Sequence, residues 1–268
     1  MHDLGHTAPL LPAAAMRIDR GRVVPVNEML AEETPVSMVY NRAAHAVMMA
    51  TPSDLEDFAI GFSLTEGLIR TPADLTHVAV VRHSKGIELQ METSAELAAG
   101  TRSRRLSGRT GCGICGMQDV EQVLREMPVV HSDVRISPAA IACAIDDLAR
   151  RQPINDASGG VHAAAWATAD GEIACLREDV GRHNALDKLV GAMYRAERDA
   201  STGFVVMTSR GSFELVQKAA FLGVALLATV SAPTALAVRM AGDAGMTLAG
   251  FARDGRVTVY TRPDRVIV

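Results

Sequence analysis

Apolar and polar positions follow different rhythms along the two parts of the chain. In the first, Arg22-Val-Val-Pro-Val and Val36-Ser-Met-Val-Tyr mix β-branched and polar residues and predict short strands. Leu55, Phe58, Ala59 and Phe62 recur at helical spacing, with Ser53 and Glu56 as a capping box and Gly67 as the stop. Thr76 to Val81 and Gly86 to Met91 predict a hairpin around His83-Ser-Lys-Gly. From Ser94 to Gly116 the periodicity is lost, and Gly100, Ser103, Ser107, Gly108, Gly111, Gly113 and Gly116 predict a long mobile loop.

Beyond the loop, helical and strand patterns alternate. Helices are predicted at Gln118 to Met127 and from Ser137, which caps, with Pro138 at the tolerated first position. Val161 to Ala167 and Glu172 to Leu176 read as a hairpin. A helix over 184–197, a strand over Phe204 to Thr208, a helix over 212–224, a strand over 226–231, a helix over 234–242 and strands over 246–251 and 256–261 follow. The expected organisation is a flexible tail over 1–16, a smaller α+β region over 17–110, and a layered α/β core over 111–268.

Composition narrows the class. The chain has 268 residues, 48% apolar and 22% charged, the make-up of a soluble globular protein. A net charge of -4 and a pI of about 6.1 argue against a nucleic-acid-binding surface. The uncharged stretch Ala219 to Val238 is as long as a membrane span, but Gly223 and Pro233 interrupt it. It reads as buried helix, strand and helix, so no membrane association is expected. The start, Met1-His-Asp-Leu-Gly, lacks the basic region of a signal peptide, so no export signal is read there.

Four cysteines are too few for a disulfide scaffold. Cys143 and Cys175 stand alone in a helix and a strand pattern and read as buried small apolar residues. Cys112 and Cys115 form a C-x-x-C within Gly111-Cys-Gly-Ile-Cys-Gly. That spacing allows a disulfide, half of a zinc site, or one thiol assisting the other as nucleophile. Arg102, Arg104, Arg105 and Arg109 lie just upstream, with no acidic residue between Glu96 and Asp119. Positive surroundings favour the thiolate and suit phosphates. Zinc would need two further ligands and is not expected, and the H-x-E of a zinc deaminase is absent.

Four more polar segments are candidates. Glu178-Asp-Val-Gly-Arg-His-Asn-Ala-Leu-Asp-Lys offers Asp179, Arg182, His183, Asn184, Asp187 and Lys188 either as a site or as capping plus solvated charge. His162 follows Gly159-Gly160 and is either ligand-contacting or structural. Ser209-Arg-Gly-Ser-Phe-Glu joins a strand to a helix, where N-terminal amides can hold an anion. Phe251, Ala252, Arg253, Asp254, Gly255 and Arg256 join the last two strands through an Asp-Gly turn, with an aromatic ring and two guanidinium groups able to stack on and neutralise a nucleotide.

Together these motifs resemble the formate dehydrogenase accessory sulfurtransferase family (FdhD/NarQ). The resemblance runs through T-P-x-D-L-E-D-x-A-x-G-F at 51–62, G-C-G-I-C-G at 111–116, G-G-V-H-A-A-A at 159–165, the 178–188 motif, S-R-G-S-F-E-L-V-Q-K at 209–218 and S-A-P-T-A-L-A-V at 231–238. It implies a cytidine-deaminase-like α/β core without zinc chemistry, in a cytoplasmic homodimer. It implies a sulfurtransferase that accepts persulfide sulfur from a cysteine desulfurase. The sulfur goes to Mo-bis-molybdopterin guanine dinucleotide, which is destined for formate dehydrogenase. Cys112 matches the persulfide carrier, Cys115 the assisting thiol, and Phe251 to Arg256 the guanine dinucleotide contact. The alternative is a non-catalytic chaperone that only binds the molybdenum cofactor.

Overall fold

The computed structural model describes residues 8–94 and 126–268. Cys112, Cys115, the four upstream arginines and all but the end of the helix predicted at Gln118 to Met127 lie outside the described residues.

The N-terminal strands are β1 (Leu10–Asp19), β2 (Arg22–Ala31), β3 (Thr34–Tyr40) and β4 (Ala43–Ala50). Helix α1 (Leu55–Thr65) and the hairpin β5 (Leu75–His83) and β6 (Gly86–Thr93) follow. Strands β3 to β6 form a sheet in the order β4-β3-β6-β5, with the central pair parallel. Val36, Met38, Tyr40, Ile87, Leu89 and Met91 alternate onto its inner face and pack with Phe58, Ala59 and Phe62 of α1. The period-2 and period-3.6 stripes of the sequence thus meet in one small core.

Two expectations fail here. The segment Leu10 to Met16 is not a frayed tail but the first part of β1, paired along its whole length with β2. Helix α1 is not capped by Ser53; its N-cap is Asp54, at φ 51°, with no side-chain cap. The reason is upstream, where Thr51 is held by Asp179, as described below.

The C-terminal elements are α2 (Pro138–Arg150), α3 (Pro153–Ser158), β7 (His162–Thr168), β8 (Ile173–Asp179), α4 (Arg182–Arg195), β9 (Gly203–Met207), α5 (Phe213–Leu222), β10 (Leu226–Thr229), α6 (Ala235–Asp243), β11 (Thr247–Arg253) and β12 (Arg256–Val259). Six strands lie in the order β12-β11-β10-β9-β7-β8. Strands β9, β10 and β11 are parallel, and β7, β8 and β12 close the sheet through antiparallel pairs. Alternate residues face opposite layers: Ala164, Trp166, Val205 and Leu227 pack toward α4, α5 and α6, while Ala163, Ala165, Phe204 and Val206 pack toward α2. Ser137 caps α2 by accepting from the Ala140 amide at 3.0 Å. The run Ala219 to Val238 is divided among α5, β10 and α6. No described helix is long and apolar enough to cross a membrane.

Cys143 departs from its expected burial: it is exposed on α2, whose inward stripe is Ala140, Ile141, Ala144, Ile145 and Leu148. Cys175 on β8 is partly buried, and burial raises its thiol above the ordinary range, which disfavours the thiolate.

The N-terminal unit meets the core where α1 crosses α4. A Cβ at Gly61 would run into the Asp187 carbonyl, and one at Gly191 into the Asp57 carbonyl. Neither backbone can retreat without pulling its helix off the other. Gly61→Ala is therefore expected to cost about 3 kcal/mol, read as a lowered urea midpoint, by forcing the helices apart. An unchanged midpoint would show that the crossing is looser than described.

Candidate functional site

Helices α4, α5 and α6 all begin where strands β8, β9 and β10 end. Their N-termini therefore share one edge of the sheet, where open α/β folds bind ligands and where free amides and helix dipoles favour anions.

The 178–188 motif divides at this edge into an inward and an outward half. Inward, Asp179 and Lys188 are each 0% exposed and form an ion pair at 2.6 Å. Asp179 also accepts from the amides of Thr51 (3.0 Å) and Gly181 (2.8 Å) and from the Asn184 side chain (2.9 Å). Lys188 donates to the Thr51 carbonyl at 2.9 Å, and Asn184 donates to the Met49 carbonyl at 2.8 Å. This half thus clamps the end of β4 onto α4.

A second clamp joins α1, α4 and α5. Lys218 donates to both oxygens of Asp187 (2.9 and 3.0 Å) and to Glu66 (3.0 Å), while Thr65 donates to Asp187 at 2.6 Å. In a third, Arg177 and Arg195 hold opposite oxygens of Asp57 at 2.7 and 2.9 Å. Of the two readings the sequence leaves open, solvated charge does not hold for Asp179, Asn184, Asp187 and Lys188, which are all buried.

Outward, Arg182 and His183 open α4 onto the edge. His183 Nε2 stands 2.6 Å from Glu214 Oε2 on the first turn of α5. His162 sits opposite Asp179 in the β7–β8 register. Burial lowers the His162 pKa, and Arg182 and His183 push it further down, so the ring stays neutral near pH 7. Arg182 Nε and Ser212 Oγ are buried polar atoms with no hydrogen-bond partner among the described residues. Orphaned donors at two helix N-termini are the polar groups a bound anion would satisfy.

The edge continues through the next loops. The Ser231 amide donates to the Ser209 carbonyl (3.4 Å), the Thr234 amide to the Gly211 carbonyl (2.9 Å), and the Phe251 amide to the Ser231 carbonyl (3.3 Å). Phe251 lies at an irregularity in the β11–β12 pairing, at φ 51°, and is 40% exposed. Arg253 and Arg256 are cross-strand partners, joined by Asp254 and Gly255 at φ 53° and 68°. These signs are those of a type I′ turn. Ala252 is buried against the α2 side of the sheet. A narrow crevice of about 10 Å³ between α2 and this turn is lined by Asp146, Arg253, Asp254 and Arg256, among others.

The structure thus brings His162, Arg182, His183, the 209–214 segment and Phe251 onto one continuous edge. It places Arg253 to Arg256 on the turn just beyond. Glu214 was missed as an individual residue, although its position on the first turn of a helix, after a strand, was a usable signal. No cluster of metal-ligating side chains occurs among the described residues.

Comparison with known proteins adds a separate line. The sequence model of the FdhD/NarQ family matches residues 31–267. The chain is 54% identical over 248 residues to the sulfur carrier protein FdhD of Xanthomonas euvesicatoria pv. vesicatoria (strain 85-10), covering 92% of this chain and 88% of that protein. It is 45% identical to the protein of the same name from Bordetella petrii, over 99% of both chains. A crystal structure described as a formate dehydrogenase accessory protein from Desulfotalea psychrophila superposes with a TM-score of 0.78, at 23% identity, over 96% of this chain and 99% of that one.

Proposed function

The chain belongs to the FdhD/NarQ family, and on that premise we propose that it is a sulfur carrier in the maturation of formate dehydrogenase. In this reading Cys112 takes sulfur from the persulfide of a cysteine desulfurase. Its thiolate attacks the outer sulfur, a new S–S bond forms on Cys112, and the donor's cysteine leaves as a thiolate. The four arginines at 102–109 favour the attacking thiolate, and Cys115 is the assisting thiol. The acceptor is Mo-bis-molybdopterin guanine dinucleotide, a substrate rather than a resident cofactor, and the reaction takes place in the cytoplasm.

The observation that carries the binding half of this reading is the shared edge. A guanine dinucleotide presents pyrophosphates, a flat base and a base edge with N–H donors. Helix N-termini with the orphaned Arg182 and Ser212 groups suit the first, and the exposed Phe251 ring suits the second. The carboxylates of Asp146 and Asp254 beside the turn suit the third. Arg253 and Arg256 add charge that phosphate oxygens would pair with.

Arg256→Ala is expected to weaken guanosine diphosphate binding about tenfold by calorimetry, as for one lost charge-assisted hydrogen bond. Arg256 is exposed on the turn, so melting should not change. Unchanged affinity would remove the turn from the site.

A further inference from the structure

Helices α4 and α5 lie side by side and carry two rungs of charge. His183 and Asp187 stand one turn apart on α4, and Glu214 and Lys218 one turn apart on α5. The lower rung, Asp187 with Lys218 at 2.9 Å, is shut in and further held by Thr65 and Glu66. The upper rung has the opposite polarity and opens at the edge: His183 Nε2 and Glu214 Oε2 meet at 2.6 Å, with their side chains 10% and 14% exposed. Histidine is the side chain whose charge changes near neutral pH, so the upper rung can gain or lose a proton there.

The upper rung is also unfinished. His183 Nε2 is buried yet makes no aligned hydrogen bond among the described residues, and the same holds for Arg182 Nε, one residue before it, and Ser212 Oγ, two before Glu214. Ser212 occupies the N-cap of α5 without capping it, whereas Ser137 and Thr234 cap their helices. Three buried polar atoms thus gather on the opening turns of two adjoining helices, where a tetrahedral anion supplies several acceptor oxygens at once.

Charge decides how such an anion is held. Around His183 stand Glu214 of α5, Arg182 beside it, and His162 of β7, which burial, Arg182 and His183 keep neutral. Asp179 is committed to Lys188, and Asp187 and Glu66 share Lys218 a turn below. With His183 neutral, Arg182 and Glu214 cancel, and the Glu214 carboxylate repels an anion. With His183 protonated the edge gains a positive charge, and the two N–H groups of an imidazolium can serve Glu214 and the anion together.

We propose that His183 is a phosphate-binding residue and that it binds as the imidazolium, so that anion and proton enter this edge together. The inference rests on the reading of the edge as the phosphate site, and adds the residue that makes its affinity depend on pH.

Sulfate is the probe, because it stays dianionic near neutral pH and brings no proton of its own. Calorimetry on the full chain at constant ionic strength is expected to show sulfate affinity falling about tenfold between about pH 5.5 and 8.5, as one charge-assisted hydrogen bond is lost. In His183→Gln the affinity should be weak and nearly the same at both ends of that range. Nuclear magnetic resonance of histidine-labelled wild type gives a readout that needs no folded variant: near pH 7.5, sulfate should move the His183 ring signals toward the imidazolium. Sulfate bound equally at both ends of the range, a pH dependence that survives His183→Gln, or His183 signals unmoved by saturating sulfate would each overturn the proposal while leaving the edge an anion site. Absence of sulfate binding throughout the range would overturn the reading of the edge itself, and the proposal with it.

Discussion

Cys112→Ala is expected to reduce formate dehydrogenase activation to background while leaving the protein folded. Cys112 is flanked by glycines and an arginine-rich stretch, a composition that offers little to a hydrophobic core. Removing its sulfur takes away the nucleophile and little packing. Neither described thiol is an adequate substitute. Cys175 is raised by burial, and Cys143 lies on the α2 side of the sheet, away from the helix N-termini. Complementation of a strain lacking the chromosomal copy, with circular dichroism of the purified variant, separates lost chemistry from lost folding. Normal activation would exclude Cys112 as the carrier.

The second large effect is structural. Lys188→Met is expected to destabilise the protein by about 3–5 kcal/mol, the cost of leaving a buried carboxylate without its partner. Asp179 and Lys188 are both wholly buried, and Asp179 accepts four hydrogen-bonding contacts that join the end of β4 to α4. Asp179→Asn with Lys188→Met should recover part of the loss, since the buried charge is gone and the amide oxygen can still accept from the Gly181 amide and the Asn184 side chain, while its NH2 group faces the Thr51 amide. Urea unfolding of the single and double variants measures both. A single variant as stable as wild type would mean that the buried charge is relieved by water.

The same residues show what was legible in the sequence. Helical and strand stripes could be read wherever one face of an element is buried, as in α1, α2 and β9 to β11. The caps Ser137 and Thr234 act as local chemistry predicts, accepting from Ala140 and Ala237. β1 was hidden because its Ala13-Ala14-Ala15 run and Pro12 carry no alternation; pairing with β2 makes it a strand, not burial. The Ser53 cap failed because a residue 128 positions away, Asp179, takes the neighbouring backbone. The exposure of Cys143 could have been foreseen, since it lies two and one positions from the inward Ile141 and Ala144.

The candidate site was legible as separate motifs but not as an edge. Whether Arg182 and His183 face outward while Asn184, Asp187 and Lys188 face inward depends on where α1 crosses α4. That crossing is set by Gly61 and Gly191, two residues without side chains. The pairing of His183 with Glu214 depends in turn on the placement of α5 beside α4. Long-range packing, rather than local pattern, divides one motif into a clamp and a ligand-facing half.

The most direct test of sulfur carriage is intact-protein mass spectrometry after incubation with a cysteine desulfurase and cysteine. Wild type is expected to gain the mass of one sulfur, about 32 Da, localised to the peptide containing Cys112 and removed by a reducing agent. The Cys112→Ala variant should gain none. A wild-type protein that gains no sulfur, or that gains it equally without Cys112, would contradict the account and leave a protein that only binds the cofactor.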